Sequence, residues 1–305
     1  MNTIIPANLI EILSVDLLDE FEDLVSAIRH KARRLGIQLG WHYDLDLAWI
    51  ASQLEDPTGM RILDAGGGTG VLQWWLADHG ADIVSVDRLD RADLSGRYRL
   101  LYRVDGLRPG DLDSAWHVAR RRLRRRDGSI GSRLAGALRA SLTGIFGPLV
   151  PKSTGRITLY RHDLESMREL QDESFDAIVS VSSLEHNDPS TLPRVVNELL
   201  RILRPNGVLL ATLSATRDED WFHEPSQGWC LTETTLRSAF GMPPDTHTNF
   251  SEYDSIFAEL RDSQALQERL APMFFESGES GMPWGVWDPQ YQPVGLRREK
   301  RMAIG

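Results

Sequence analysis

Apolar positions at the start of the chain recur every three or four residues: Leu9, Leu13, Leu17, Phe21, Leu24 and Ile28. That period places them on one helical face, so residues 1–54 read as a helical cap. A second helix is predicted over 44–54, and Asp56-Pro57-Thr58-Gly59 is a turn. The rhythm then shortens. Compact apolar runs at 60–64 and 82–87 flank Gly66-Gly67-Gly68-Thr69-Gly70 and a helical stretch over 71–79. A strand, a glycine loop, a helix and a second strand in that order predict a parallel sheet.

Further strands are predicted at 156–160, 175–181 and 208–213. Between the last two, Leu192, Val195, Val196, Leu199, Leu200 and Leu203 give a helix its apolar face. Asp188-Pro189 starts that helix and Pro205-Asn206-Gly207 stops it. The stretch 291–301 reads as a terminal edge strand. Residues 90–155 interrupt the alternation and are too long for a plain loop. Leu112, Trp116, Ala119 and Leu123 line one helical face there, with most of the arginines from Arg120 to Arg126 on the other. Gly128-Ser129 breaks the helix. Leu134, Leu138, Leu142 and Ile145 line a second one, ended by Gly147-Pro148. A helical hairpin inserted into an α/β domain of residues 55–305 is expected, with substrate-side additions at about 215–290.

Composition narrows the class. Of 305 residues, 41% are hydrophobic and 26% charged, which excludes a wholly disordered chain. No apolar run reaches membrane-spanning length. The first residues meet acids early and lack a basic stretch, so no secretory signal is expected. Cys230 stands alone, so neither an intrachain disulfide nor a cysteine zinc site is expected, and the cytoplasm is the expected compartment. The net charge of −10 argues against a nucleic-acid partner. It conceals twelve arginines between Arg97 and Arg139 against four aspartates, so that stretch carries +8 and the remainder −18. A solvated helix face, a clamp on an anionic acceptor, and a membrane-surface or partner contact are all open for these arginines.

The segment Asp64-Ala65-Gly66-Gly67-Gly68-Thr69-Gly70 carries the most chemistry. Glycines let the chain turn tightly after a strand and let a ligand approach without a Cβ clash. Asp87, at the end of the next strand, is placed to accept hydrogen bonds from two ribose hydroxyls. A dinucleotide loop needs G-x-G-x-x-G, and counted from Gly66 the last position is Val71. Asp64 would also repel a pyrophosphate, whereas it attracts the ammonium end of S-adenosylmethionine, a ligand with no phosphate.

Here the sequence resembles the class I S-adenosylmethionine-dependent methyltransferases, most closely the small-molecule branch. The resemblance rests on 62–70, on Val84-Ser85-Val86-Asp87, on Arg161-His162-Asp163-Leu164, on 175–186 and on 203–209, in the family's order. It implies a Rossmann-like fold with a mostly parallel seven-stranded sheet, S-adenosyl-L-methionine as cofactor, and a small-molecule acceptor. It also implies that Gly66, Gly68 and Gly70 floor the methionine moiety, Asp87 holds the ribose, and Asp163 with the Leu164 backbone meets the adenine edge. Ser182 to His186 should then lie beside the methionine end and the acceptor.

Methyl transfer from a sulfonium is an in-line displacement that depends on alignment and exclusion of water. An O or N acceptor can also need a base, and His186 and His223 are the expected sources. Trp41-His42-Tyr43 either closes over the cofactor or packs the cap. Met282-Pro283-Trp284-Gly285-Val286-Trp287 either lines a substrate pocket or forms a loop core. The arginines favour an anionic acceptor such as a phosphorylated sugar or natural-product intermediate. A fold that binds the cofactor without methylating, as a scaffold, is the alternative function.

Overall fold

The computed structural model describes residues 6–54, 56–124, 152–268, 282 and 286–301. At the centre of its sheet stands β2 (Arg61–Ala65), between β3 (Asp82–Asp87) and β6 (Phe175–Val181), all three parallel. Beyond β3 the sheet continues through β5 (Arg156–Arg161) to β4 (Arg103–Gly106). Beyond β6 it continues through β7 (Leu203–Ala215), β11 (Gln292–Glu299) and β1 (Asn8–Ile12) to β10 (His247–Thr248). A short hairpin of β8 (Trp221–His223) and β9 (Gly228–Leu231) hangs on the end of β7, with Ser214 opposite Cys230. The chain leaves β2 toward one side of the sheet and later resumes on the other. The crevice beyond the carboxyl ends of β2, β3 and β6 is therefore the place where such a sheet receives ligands.

Each central strand buries both faces. Ile62, Ile83, Ala177 and Val179 enter one core, and Leu63, Val84, Val86 and Ile178 enter the other, as a period of two requires. The first core is covered by α1 (Leu17–Glu20), α2 (Glu22–Leu35), α3 (Tyr43–Gln53) and α4 (Leu72–Asp78). In α2, Val25, Ile28, Ala32 and Leu35 are buried, and Gly36 ends the helix at φ 68°, its N–H turned to the Ala32 and Arg33 carbonyls. The interruption of the alternation supplies α5 (Gly96–Leu101) and α6 (Ala115–Arg124). The second core is closed by α7 (Leu192–Ile202) and α8 (Glu233–Phe240), with the first residues of α9 (Tyr253–Asp262). Among the described residues, no helix is long and apolar enough to cross a membrane.

The fold class agrees with the expectation, and several details correct it. The sheet has eleven strands among the described residues rather than seven. Residues 8–12, expected as helix, form β1, which pairs antiparallel with β11 and sends Ile10 and Ile12 into the second core. In consequence the C-terminal strand is no edge: β11 is held between β7 and β1. The helix expected from Asp188 begins at Leu192, because Asp188 first takes the Ser190 and Thr191 amides into a turn. Pro205-Asn206-Gly207 lies within β7, which opens at Leu203 opposite Phe175.

In the insertion, α6 is present but turned from its expected face. Val118 and Ala119 are buried, while Trp116 and Leu123 are 60% and 49% exposed. Arg121 fixes this orientation through Asp113 at 2.9 Å and Asp93 at 3.2 Å. The second expected helix, over 134–145, lies outside the described residues, as do Arg125 and Arg126.

The cap is fastened to the sheet by Trp49. Its indole N–H donates to Glu11 Oε2 on β1 at 2.7 Å, and its ring lies over Gly295 of β11. A Cβ on Gly295 would sit 2.5 Å from that ring. Gly295→Ala is expected to cost about 1–3 kcal/mol through overpacking, measured as a lower urea midpoint at unchanged slope.

Candidate active site

The chain leaves β2 and turns back at once. The amides of Gly66 and Gly67 both donate to the Val86 carbonyl of β3, at 2.8 and 3.3 Å. Gly66 has φ 74°, and a Cβ there would fall 1.7 Å from Ser183 Oγ, so only glycine fits. A Cβ on Gly67 would strike the Asp64 carboxylate at 2.0 Å. Gly68 donates its N–H to Asp87 Oδ2 at 2.8 Å, and Leu89 donates to Asp87 Oδ1 at 2.7 Å. Each oxygen of Asp87 thus keeps acceptor capacity for a further donor. From α4, the Gln73 amide donates toward the carbonyls of Gly67, Gly68 and Gly70 at 3.3–3.4 Å.

Under the loop lies Arg91. It donates to the Gly68 carbonyl at 3.2 Å, and to Ser85 Oγ and the Ser85 carbonyl at 2.8 Å each. Ser85 in turn donates to Asp64 Oδ2 at 3.3 Å. Burial pushes the Asp64 carboxyl up to about 7, against the opposing pull of Arg91 and Ser85. Asp64 is thus a buried carboxyl poised to become fully ionised beside a cation.

Ser182 follows β6 with φ 43°, its amide held by the Thr212 carbonyl at 3.0 Å and its hydroxyl by Glu185 Oε1 at 2.6 Å. Backbone in that region is costly for a residue with a Cβ, and such outliers gather at functional sites. These pieces border one cavity of about 870 Å³, whose wall includes Asp64, Gly66, Gly68, Gly70, Asp87 and Ser182. The cap closes its other side with Trp41, His42 and Tyr43, and Tyr291 joins them from the foot of β11.

A family model described as a methyltransferase domain matches residues 42–292. The chain belongs to this methyltransferase family. Its cofactor is S-adenosyl-L-methionine. Among solved structures, the chain is similar to YcgJ of Bacillus subtilis, with 14% identity over 85% of this chain and 99% of that one, and a TM-score of 0.43. It is also similar to phosphoethanolamine N-methyltransferase 2 of Haemonchus contortus, with 15% identity over 94% and 60% and a TM-score of 0.47. A third is an S-adenosylmethionine-dependent methyltransferase of Mesorhizobium loti, with 14% identity over 83% and 97% and a TM-score of 0.36. No curated protein sequence matches the chain.

The methyltransferase brings together most, not all, of the residues expected at its site. His186 is exposed and lines the cavity, its Nδ1–H donating to the Gln227 carbonyl at 2.8 Å. His223 is buried behind the wall, where its ring meets Tyr291 at 5.2 Å and its Nδ1 meets Ser226 Oγ at 2.7 Å. Burial lowers the His223 pKa. Asp163 and Leu164 are absent from the described wall. Asp163 accepts the Glu165 amide at 2.8 Å and pairs with Arg88. Leu164 packs on the second core. Of the distal segment, Met282 is buried and Trp287 packs edge-on against Trp41 at 6.0 Å.

Arg91 joins the site without a signal in the sequence. One arginine in a basic region carries no pattern, and only the fold puts Gly68 and Ser85 beside it. Arg91→Met removes the guanidinium hydrogen bonds to the Gly68 carbonyl and to Ser85 while keeping most of the volume. It is expected to destabilise the methyltransferase by about 1–3 kcal/mol and to weaken cofactor binding, checked by urea unfolding and calorimetry.

Proposed function

We propose that the protein transfers the methyl of S-adenosylmethionine to an O or N atom of a small molecule bound in the cavity beside Ser182 and His186. The observation that carries this reading is the paired use of Asp64 and Asp87: one buried carboxyl that gains from a cation, and one carboxylate tied to the loop amide with acceptor capacity to spare. When bound, the cofactor supplies an electrophilic methyl on a sulfonium. The residues bind and orient. Gly66, Gly68 and Gly70 floor the methionine moiety, Asp64 faces its ammonium, and Asp87 takes the ribose hydroxyls. Asp163 and the Leu164 backbone are assigned the adenine edge, next to Arg88. His186 stands where an acceptor would lie, and His223 supports Tyr291 from behind. Residues 1–54 act as the cap of a catalytic domain over 55–305, and the cytoplasm is the proposed location.

The acceptor's charge is a separate matter. The anionic class suggested by the arginine-rich insertion gains no support from the described wall, which includes no Lys or Arg. Within 120–126, Arg121 is engaged by Asp93 and Asp113.

Binding of S-adenosylmethionine by calorimetry tests the reading. Asp87→Ala is expected to weaken it by about 1–3 kcal/mol. Tight binding of a nicotinamide dinucleotide in its place would refute it.

Asp64 also gives the binding a pH signature. Burial lifts its carboxyl to about 7, and a bound ammonium favours the ionised form. Affinity should therefore rise with pH, by roughly tenfold between about pH 6 and 8, as the ionised fraction rises through that pKa. Asp64→Asn should flatten the profile over the same interval.

A further inference from the structure

A second polar cluster borders the cavity on the side away from Asp87, and the cofactor reading leaves it unused. His42 Nδ1 lies 2.6 Å from Asp46 Oδ2, one helical turn further on, and both residues are buried. The other ring nitrogen of His42, Nε2, meets the Tyr291 hydroxyl at 3.4 Å. Tyr291 is clamped edge to face by His223 at 5.2 Å and packed by the tilted Trp41 ring at 5.3 Å. His42 and Tyr291 belong to the same wall as Asp64 and Ser182.

The groups facing His42 are Asp46 from its own helix, Glu185 from the turn after β6, and the neutral phenols of Tyr43 and Tyr291. Glu185 is buried, and its Oε2 has no hydrogen-bond partner among the described residues. Desolvation pulls the His42 pKa down, but the Asp46 charge and hydrogen bond, with the Glu185 charge, outweigh it and raise the net value. Burial holds the Tyr291 hydroxyl far above its ordinary range, so that it stays protonated.

We propose that His42 is the proton acceptor of the methyl transfer, reached through the Tyr291 hydroxyl, and that the acceptor is an uncharged molecule bearing a phenolic or enolic hydroxyl. This rests on methyl transfer occurring in this cavity. Asp46 takes the Nδ1–H and so leaves the Nε2 lone pair toward Tyr291, which is the arrangement of an oriented base. A base with an elevated imidazole pKa is matched to a hydroxyl of phenolic or enolic acidity far better than to an aliphatic alcohol. The aromatic faces of Trp41, Tyr43 and Tyr291 suit a planar acceptor, and the described wall offers no Lys or Arg for an anion.

The step balances. The acceptor oxygen gives its proton to Tyr291 Oη as Tyr291 gives its own to His42 Nε2. The freed oxygen pair forms the new O–CH3 bond while the methyl–sulfur bond breaks with its pair left on sulfur. Asp46 stabilises the imidazolium until the proton passes to solvent.

Two measurements on the full chain with adenosylhomocysteine or labelled S-adenosylmethionine decide the matter. In an NMR titration of the histidines with adenosylhomocysteine bound, His42 should titrate above a free imidazole. Asp46→Asn should lower that midpoint by about one pH unit or more. In the second, 4-nitrophenol and catechol are compared with matched primary amines and sugar phosphates as methyl acceptors. Phenol methylation should rise with pH at the His42 midpoint, and this limb should move to lower pH in Asp46→Asn. Tyr291→Phe, which keeps the packing, should lose about a hundredfold in rate with adenosylhomocysteine binding intact. A His42 midpoint at or below that of free imidazole overturns the proposal. So does a limb unmoved by Asp46→Asn, an unchanged rate in Tyr291→Phe, or transfer confined to amines or sugar phosphates. Failure of the cofactor-site reading shows separately, as absence of adenosylhomocysteine binding.

Discussion

The hydrogen bond from the Gly68 amide to Asp87 is the constraint around which the site is built. It joins the loop after β2 to the end of β3, and the Val86 carbonyl reinforces it by taking the Gly66 and Gly67 amides. Two neighbouring strands thereby present their carboxyl ends as one rigid edge. Arg91 completes the arrangement from below by filling the Gly68 and Ser85 carbonyls. Without that cation, Asp64 and Asp87 would face each other across a poorly solvated gap. With it, one carboxyl remains near neutral titration and the other stays free to accept hydrogen bonds, a division of labour produced by environment rather than residue type.

The far side of the cavity depends on a different long-range pairing. Insertion of β11 between β7 and β1 brings the two ends of the chain together. Trp49 then locks α3 across both terminal strands, which sets His42 and Tyr43 at the mouth of the crevice beside Tyr291. The cap therefore lines the cavity as well as covering the core.

The central strands were readable because each is buried on both faces and so appears as a short unbroken apolar run. The glycine loop and Asp87 were readable because their chemistry is local. The β1 segment reads as helix for a definable reason: Leu9 and Leu13 are four apart, a spacing that keeps residues on one face of either a helix or a strand. Ile10 and Ile12, between them, were the discriminating signal. β4, β8, β9 and β10 run for two to four residues, too short for any period to declare itself. The spacing of His42 and Asp46 on one helix was visible, but Tyr291 is 249 positions from His42, and only the sheet brings it near. His223 and Asp163 follow the expected strands; the His223 ring stands edge-on to Tyr291, and Asp163 accepts the Glu165 amide in a local turn, contacts that no local pattern declares.

The central claim is that the edge formed by the glycine loop and Asp87 is where the cofactor lies. A crystal structure of the protein with adenosylhomocysteine tests it most directly. The account predicts the ribose hydroxyls within hydrogen-bond distance of the Asp87 carboxylate and the amino group next to Asp64. A nucleoside seated elsewhere, with Asp87 turned only to its own backbone partners, would contradict it.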